Sequence, residues 1–459
     1  MIMERVPINP MDAAWLYVEK EQAPAHFGPL IFMSCPEGDE GFVQRLVAEW
    51  RKSLTFAPPF NYRLAKGLIP RWEITPNDQL DMEYHLRHSA LPAPGGEAEL
   101  GIMVSRLHSH KLDRKKPLWQ CYVIEGIGGG RFAIYLKLHH AQMDGMAASM
   151  LMAKCFSTDP DARNMPAPWT IGLKSSPEKL AAAKLKKQTA ASQVSAWARL
   201  SNIRRALSTL GKEAYLNANS SLFAPYQGPK SVLNGRISPH RRYATQRFEL
   251  AQLKRIADKA GVKINDVFLA VTGAALRRYL SEQNVLPKKS LVGQIPVSIR
   301  PAGDDAIGNA LSFVYATLGT DLDDPLARLK AVSQSTESAK SLQSTLTVDA
   351  IEAYTSIVLA PYITETILGL GGYLRPASNL VISNVMGPRQ RMYFNGARIE
   401  HIYGPSVLFH GQALNITMSS YADEINIGYT ACRDSLPSMQ RIAVYSGEAM
   451  NELEEALGL

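Results

Sequence analysis

Two adjacent histidines, His139 and His140, are followed after three residues by Asp144 and Gly145. An imidazole titrates near neutrality, at about 6.5, so it can take a proton from a bound hydroxyl or thiol as a general base. Asp144 either meets His140 directly or is held by a cation elsewhere and fixes the loop that aims it. Gly145 suits a tight turn or a close ligand approach. The plain alternative is a packed core histidine beside a solvated aspartate. A metal centre is the weaker rival, because adjacent strand histidines diverge and no third His, Cys or carboxylate follows at ligand spacing.

The elements around these residues must aim them. Phe132, Ile134, Leu136 and Leu138 alternate with period two, which predicts a half-buried strand. His140 falls on its apolar face and His139 on the other. Met146, Met150 and Ala153 then predict a packed helix face. His140 is thus placed at a strand end, beside a turn.

With 459 residues the chain exceeds one ordinary core, and two domains are expected. A hydrophobic content of 46% against 20% charged residues excludes a disordered chain. The first twenty residues lack the pattern of a secretory signal, and no apolar run is long enough to span a bilayer. Cys35, Cys121, Cys155 and Cys432 lie far apart in sequence and read as reduced thiols of a cytoplasmic protein.

Charge is concentrated in one place. Residues 174–212 carry nine basic side chains against the single acid Glu178, an excess that equals the whole net charge of +8. The Ala, Leu and Lys content there favours helix. It reads either as a solvated linker or as a basic amphipathic element on an anionic lipid surface. Nucleic acid is disfavoured, since Trp197 is the single aromatic among these cations.

In chain order, a helix is expected from Asp12 to Lys20 with Asp12 as its cap, a strand from Pro29 to Met33 and a helix from Gly41 to Lys52. Residues 57–72 read as loop with a short strand. His85 and His88 suit packing or surface roles better than a paired metal site. Helix is predicted from Glu97 to Leu112, and a strand enters after Pro117, Leu118 and Trp119. Later come two helices divided at Gly261, with Asn265 or Asp266 capping the second; an amide at that place can also donate to an oxyanion. A buried strand ends at Arg300, and Gly308 and Asn309 open another. Residues 351–374 predict a core helix or tunnel wall, and the chain closes with a hairpin at Ala422–Asp423 and a helix from Ser438 to Leu457.

The His139-His140-x-x-x-Asp144-Gly145 spacing resembles the signature of the coenzyme A-dependent acyltransferase and condensation-domain superfamily. Further blocks agree over essentially the whole chain: PMDAAWLYVE, His26 with Gly28, DMEYHLRHSALPAPGG, Pro117 to Trp119, Asn265 with Asp266, Pro296 to Arg300 with Gly308 and Asn309, SNVMGP, and GQALNITMSSY through CRDSLPSMQ. Together they resemble the bacterial wax ester synthase/acyl-CoA:diacylglycerol acyltransferase family. Met386 departs from the family's usual proline, and Ala25 from its usual methionine.

The resemblance implies an α/β fold of two chloramphenicol acetyltransferase-like sandwich domains with a tunnel between them: residues 1–165, a basic linker 166–231, and residues 232–459. It implies acyl transfer from acyl-CoA, a co-substrate, to a long-chain alcohol or a diacylglycerol, without a bound cofactor or metal. His140 is the expected base in the His139, His140, Asp144 and Gly145 motif. Arg300 is the expected ion-pair partner of Asp144, Asn265 the candidate oxyanion donor, and Asp266 its support. The expected partners are these lipids and a membrane or lipid-inclusion surface reached from the cytoplasm, with no nucleic acid. A non-lipid acceptor and a non-catalytic lipid-surface protein are the alternatives.

Overall fold

The computed structural model describes residues 4–173, 221–298, 311–344 and 348–459. The basic segment 174–212, Arg300, Gly308 and Asn309 therefore lie outside the described residues.

The strand Arg131–His139 is the centre of a seven-stranded sheet. Its order is Tyr393–Phe394, Ala397–Tyr403, Leu30–Ser34, Arg131–His139, Trp119–Ile127 and Leu86–Ala90, with His26–Phe27 pairing the central strand at His139 and Leu138. Phe132, Ile134, Leu136 and Leu138 meet the helices Phe42–Lys52 and Gly145–Cys155 on one face. Ala133 and Tyr135 meet the helix Glu97–Ser109 on the other. The strand is thus buried on both faces, where alternation predicted one. The Lys137 ammonium donates to the carbonyls of Leu107 and His110 and so satisfies the open C-terminal end of that helix. Gly28 permits the close strand contact: a Cβ there would lie 1.7 Å from the Leu136 carbonyl oxygen.

A second, six-stranded sheet runs Leu311–Thr317, Val292–Ser298, Leu380–Met386, Leu414–Tyr421, Glu424–Cys432 and Arg241–Glu249. Helices Leu250–Ala260, Ile264–Glu282 and Gln440–Ala456 bury their apolar faces in its core. The helix pair divides at Gly261, whose φ of +66° is the left-handed end that glycine tolerates. The expected hairpin is present, with Tyr421 opposite Glu424.

The sheets do not keep to the expected chain division. Strand Ala397–Tyr403, from the C-terminal part, pairs with Leu30–Ser34 in the first sheet. Conversely, Ser105 and Ser109 of helix Glu97–Ser109 accept hydrogen bonds from the backbone N–H groups of Tyr243 and Arg241, on the second sheet's edge. Each half thus closes an edge of the other.

Two local expectations are corrected. The first helix runs Pro10–Val18 and is capped by Asn9, whose side chain accepts from Met11 N at 3.1 Å, so Asp12 sits inside the first turn. The helix Val348–Ile367 is not a core helix throughout. Ile351 is buried, but Ile357, Ile367 and the following Leu368 are exposed, because the run's apolar residues go round the helix instead of forming one stripe.

Candidate active site

His140 lies one residue beyond the central strand, its N–H bonded to the Ala25 carbonyl at 2.8 Å. Its imidazole stacks on Trp15, with ring centroids 3.8 Å apart and planes inclined by 15°. Phe27 touches it from another side at 4.9 Å. Nδ1 is buried without a hydrogen-bond partner, and among the described residues no side chain bonds either ring nitrogen. Burial, helped by the neighbouring His139, pushes its pKa down to about 3, so the ring is neutral at ordinary pH. The arrangement is a neutral imidazole packed by aromatic rings, with no carboxylate among the described residues bonded to it.

His139 has the opposite surroundings. Its Nδ1 accepts the Ala141 N–H at 3.0 Å, which leaves the proton on Nε2, 3.5 Å from Glu19 Oε1. Glu19 also accepts from Ala25 N at 3.2 Å and from Arg114 Nε at 2.9 Å. Burial alone would raise the Glu19 pKa, but these donors and charges override it and hold the carboxyl down to about 2. Nearby, His26 donates to the His108 carbonyl at 2.9 Å, while His108 bridges the Tyr135 hydroxyl (2.6 Å) and the Ser406 carbonyl (2.8 Å). Burial depresses His108 to about 3 and His26 well below its usual range. Burial also brings Lys137 down to about 7, against the pull of Glu19. Glu19 and Arg114 were not singled out from sequence, and Trp15 reads there only as apolar surface of the first helix. The signal available was the block PMDAAWLYVE, which ends an apolar helix on an unexplained acid.

Asp144 does not bond His140. It caps the helix Gly145–Cys155, accepting from Ala147 N at 2.7 Å. Its charge reaches Asp12 on the first helix, whose carboxyl is raised to about 6, by burial first and by Asp144 second. Gly145 is the first residue of the capped helix, and a Cβ there would meet nothing within 4 Å. No turn of this chain requires glycine at that point.

Asp266 is a structural link, 2% exposed, taking Lys263 N at 3.1 Å and the Thr336 hydroxyl at 2.6 Å. It ties the start of helix Ile264–Glu282 to helix Pro325–Ser344. Asn265 precedes it, half-buried, and among the described residues no hydrogen bond or ring contact joins it to His140. His85 stacks on Trp119 at 4.2 Å and bonds its carbonyl, and His88 faces Glu125 at 3.3 Å, so the two serve different partners. Among the described residues, no three His, Cys, Asp or Glu side chains converge as a metal site would need. An open hollow of about 530 Å³ beside Tyr84 and Tyr122 is lined by Lys111 and Arg114 but also by Glu21 and Asp113, a balanced charge that marks no anion.

A family model described as the wax ester synthase/diacylglycerol acyltransferase catalytic domain matches residues 8–268, and one for the WS/DGAT C-terminal domain matches 307–454. The chain belongs to that family. Among its relatives, the O-acyltransferase WSD of Acinetobacter baylyi is 39% identical over 452 residues, covering 98% of this chain and 97% of the relative. The wax ester synthase/diacylglycerol acyltransferase of Marinobacter aquaeolei VT8 matches in structure with a TM-score of 0.80 at 33% identity, covering 99% of this chain and all of that one. The first condensation domain of a calcium-dependent antibiotic synthetase, 16% identical, has a TM-score of 0.60 over 99% of this chain and 96% of its own, a likeness of fold alone. The protein is therefore an acyltransferase of the wax ester synthase/diacylglycerol acyltransferase type, on the chloramphenicol acetyltransferase-like fold expected from its motifs.

Proposed function

We propose that the protein transfers a fatty acyl group from coenzyme A to the hydroxyl of a lipid acceptor, a long-chain alcohol or a diacylglycerol, with His140 as the general base. The observation that carries this reading is the state of His140: neutral, half-buried, and unbonded by any described side chain. His139, His26 and His108 each have at least one ring nitrogen hydrogen-bonded, whereas no described side chain bonds either nitrogen of His140.

In the reaction, the free imidazole nitrogen accepts the acceptor's hydroxyl proton while the oxygen attacks the thioester carbonyl carbon. The tetrahedral intermediate collapses with loss of the carbon–sulfur bond. The imidazolium then returns its proton to the coenzyme A thiolate, so the base is regenerated with no acyl-enzyme. Asn265 or a neighbouring N–H steadies the oxyanion, and Asp144, with Arg300 as its proposed partner, holds the helix start that borders the site. The open space before Gly145 suits a substrate in the proposed tunnel between the two halves. Acyl-CoA is a co-substrate, and no bound cofactor takes part. The acceptors are lipids, so the enzyme works peripherally at a membrane or inclusion surface on the cytoplasmic side. No described helix is long and apolar enough to cross a membrane.

The test is thiol release from palmitoyl-CoA with hexadecanol and then with dioleoylglycerol, with products identified by mass, for the wild type and His140→Ala. An ester that the variant fails to make supports the mechanism, and the ratio of products names the acceptor. No ester from either acceptor, with acyl-CoA still bound, sinks the lipid-acceptor assignment in favour of a non-lipid acceptor or a non-catalytic role.

A further inference from the structure

Strands Tyr62–Leu64 and Arg71–Ile74 form a hairpin whose tip is Lys66, Gly67, Leu68 and Ile69. Leu68 is 99% exposed and Ile69 72%. Isolated exposed apolar residues are ordinary, but two adjacent aliphatic side chains at the apex of a projecting turn are not. Lys66 and Arg71 flank them, both exposed, with no ion pair among the described residues. No acid occurs from Tyr62 through Trp72.

The hairpin's base is anchored beside the site. Trp72, Tyr62 and Leu64 pack in one cluster with Leu16, Ala141 and Trp15, and Trp15 is the ring stacked on His140. Arg71 pairs with Pro7, from which the chain enters the first helix, where Met11 is 51% exposed. The apolar apex is therefore joined to the catalytic histidine through two packed layers.

We propose that this apex is the lipid-docking element of the enzyme. Leu68 and Ile69 enter the boundary between headgroups and acyl chains of an anionic lipid surface, and Lys66 and Arg71 rest on its phosphates. The proposal rests on the lipid-acceptor reading above and gives it a surface: the acceptor is drawn from the layer into which the apex dips. A second copy of the chain is the poorer occupant. A convex apex of two side chains falls far short of the roughly 800 Å² per partner that a stable interface needs, and its cations would face the same cations.

The experiment is co-sedimentation of the full chain with vesicles of phosphatidylcholine and phosphatidylglycerol, and with phosphatidylcholine alone. Leu68→Asp/Ile69→Asp should lower partitioning onto the mixed vesicles by about tenfold or more. Its melting temperature should be unchanged, as should its turnover of a short water-soluble alcohol. Lys66→Gln/Arg71→Gln should lose binding to the anionic vesicles selectively. Leu68→Trp supplies a second readout that keeps the fold, a blue shift in the difference emission on adding vesicles. Wild-type partitioning by the double aspartate variant, or no shift for the tryptophan, overturns the proposal. So does a wild-type dimer, seen by light scattering, that the aspartates dissociate, since the apex is then a self-association contact. Vesicle binding involves no turnover, and His140→Ala should bind as the wild type does. A failed acceptor assignment and a failed docking surface are thereby told apart.

Discussion

His139 and His140 are neighbours in sequence and opposites in environment. On one side of the strand end, His139 belongs to a polar set with Glu19 and Arg114, beside His26, His108 and Lys137, in which every one of these side chains makes at least one hydrogen bond. On the other, His140 lies among the rings of Trp15 and Phe27, bonded by its backbone alone. A satisfied polar set rigidifies what it holds, whereas a reacting base must have a nitrogen to spare. The bonded set fixes the strand end, and the aromatic set fixes the ring plane without occupying its nitrogens.

The comparison breaks most sharply at the two histidines themselves. His140→Ala should lower kcat by about 10²–10⁴-fold, the usual contribution of a positioned base, with the denaturant midpoint little changed. His139→Ala should do the reverse in kind, with the midpoint falling and activity tracking the folded fraction.

Glu19→Gln tests the bonded side directly. It removes the carboxylate charge that Arg114 and His139 face while keeping the shape and one acceptor oxygen, a loss of about 1–3 kcal/mol by urea unfolding, since Arg114 is partly exposed. The pH dependence has a definite sign. The Glu19 carboxyl is held at about 2 in the fold against an ordinary 4.5. Its stabilisation is therefore complete above pH 4.5 and is lost as the pH falls towards 2. The gap between wild type and Glu19→Gln should narrow over that window. A constant gap would show that Glu19 acts by shape and not by charge.

The aromatic side of the site was legible in sequence only as the position of His140 after an alternating strand. That alternation is local and survives folding, as do the hairpin at Ala422 and the helix division at Gly261. The bonded set was not legible as a set, because Glu19, His26, His108 and Arg114 come from separate stretches; the family blocks marked His26 and the helix ending at Glu19 but not their joining. Lys137 was not read from sequence, since nothing local shows that a helix end lies over it. Asp144 was readable in residue type, and the Ala147 bond adds a capping role that sequence did not assign, while its expected partner Arg300 lies outside the described residues. The long apolar run at 351–374 suggested a core helix or tunnel wall, although without a single stripe apolar content cannot say which side is buried.

Trp15 offers a smaller effect with a sharper readout. Ring stacking contributes about 0.5–1.5 kcal/mol, so Trp15→Ala should lower kcat/KM by up to about tenfold, and Trp15→Phe by less. The loss should come with a change in pH profile. Burial holds His140 near 3, so the wild type keeps its neutral base well below pH 6.5. Opening the ring to water moves its pKa up towards 6.5, and the acid limb of kcat/KM should rise with it. A lower rate with an unmoved limb would mean that Trp15 shapes the substrate path and not the base.

The mildest change probes the open space before Gly145. Gly145 opens a helix without a positive φ, and a Cβ there meets nothing of the chain. On conformational grounds Gly145→Ala should therefore be neutral or stabilising by about 0.4–1 kcal/mol. If that space is where the acceptor lies, the same methyl group should raise KM for the acceptor and leave KM for acyl-CoA unchanged. Stability up and acceptor affinity down, in one variant, would separate a residue kept small for a ligand from one kept small for the fold. A variant more stable and equally active would return Gly145 to the helix and leave the acceptor's position to be sought on the Trp15 side of the ring.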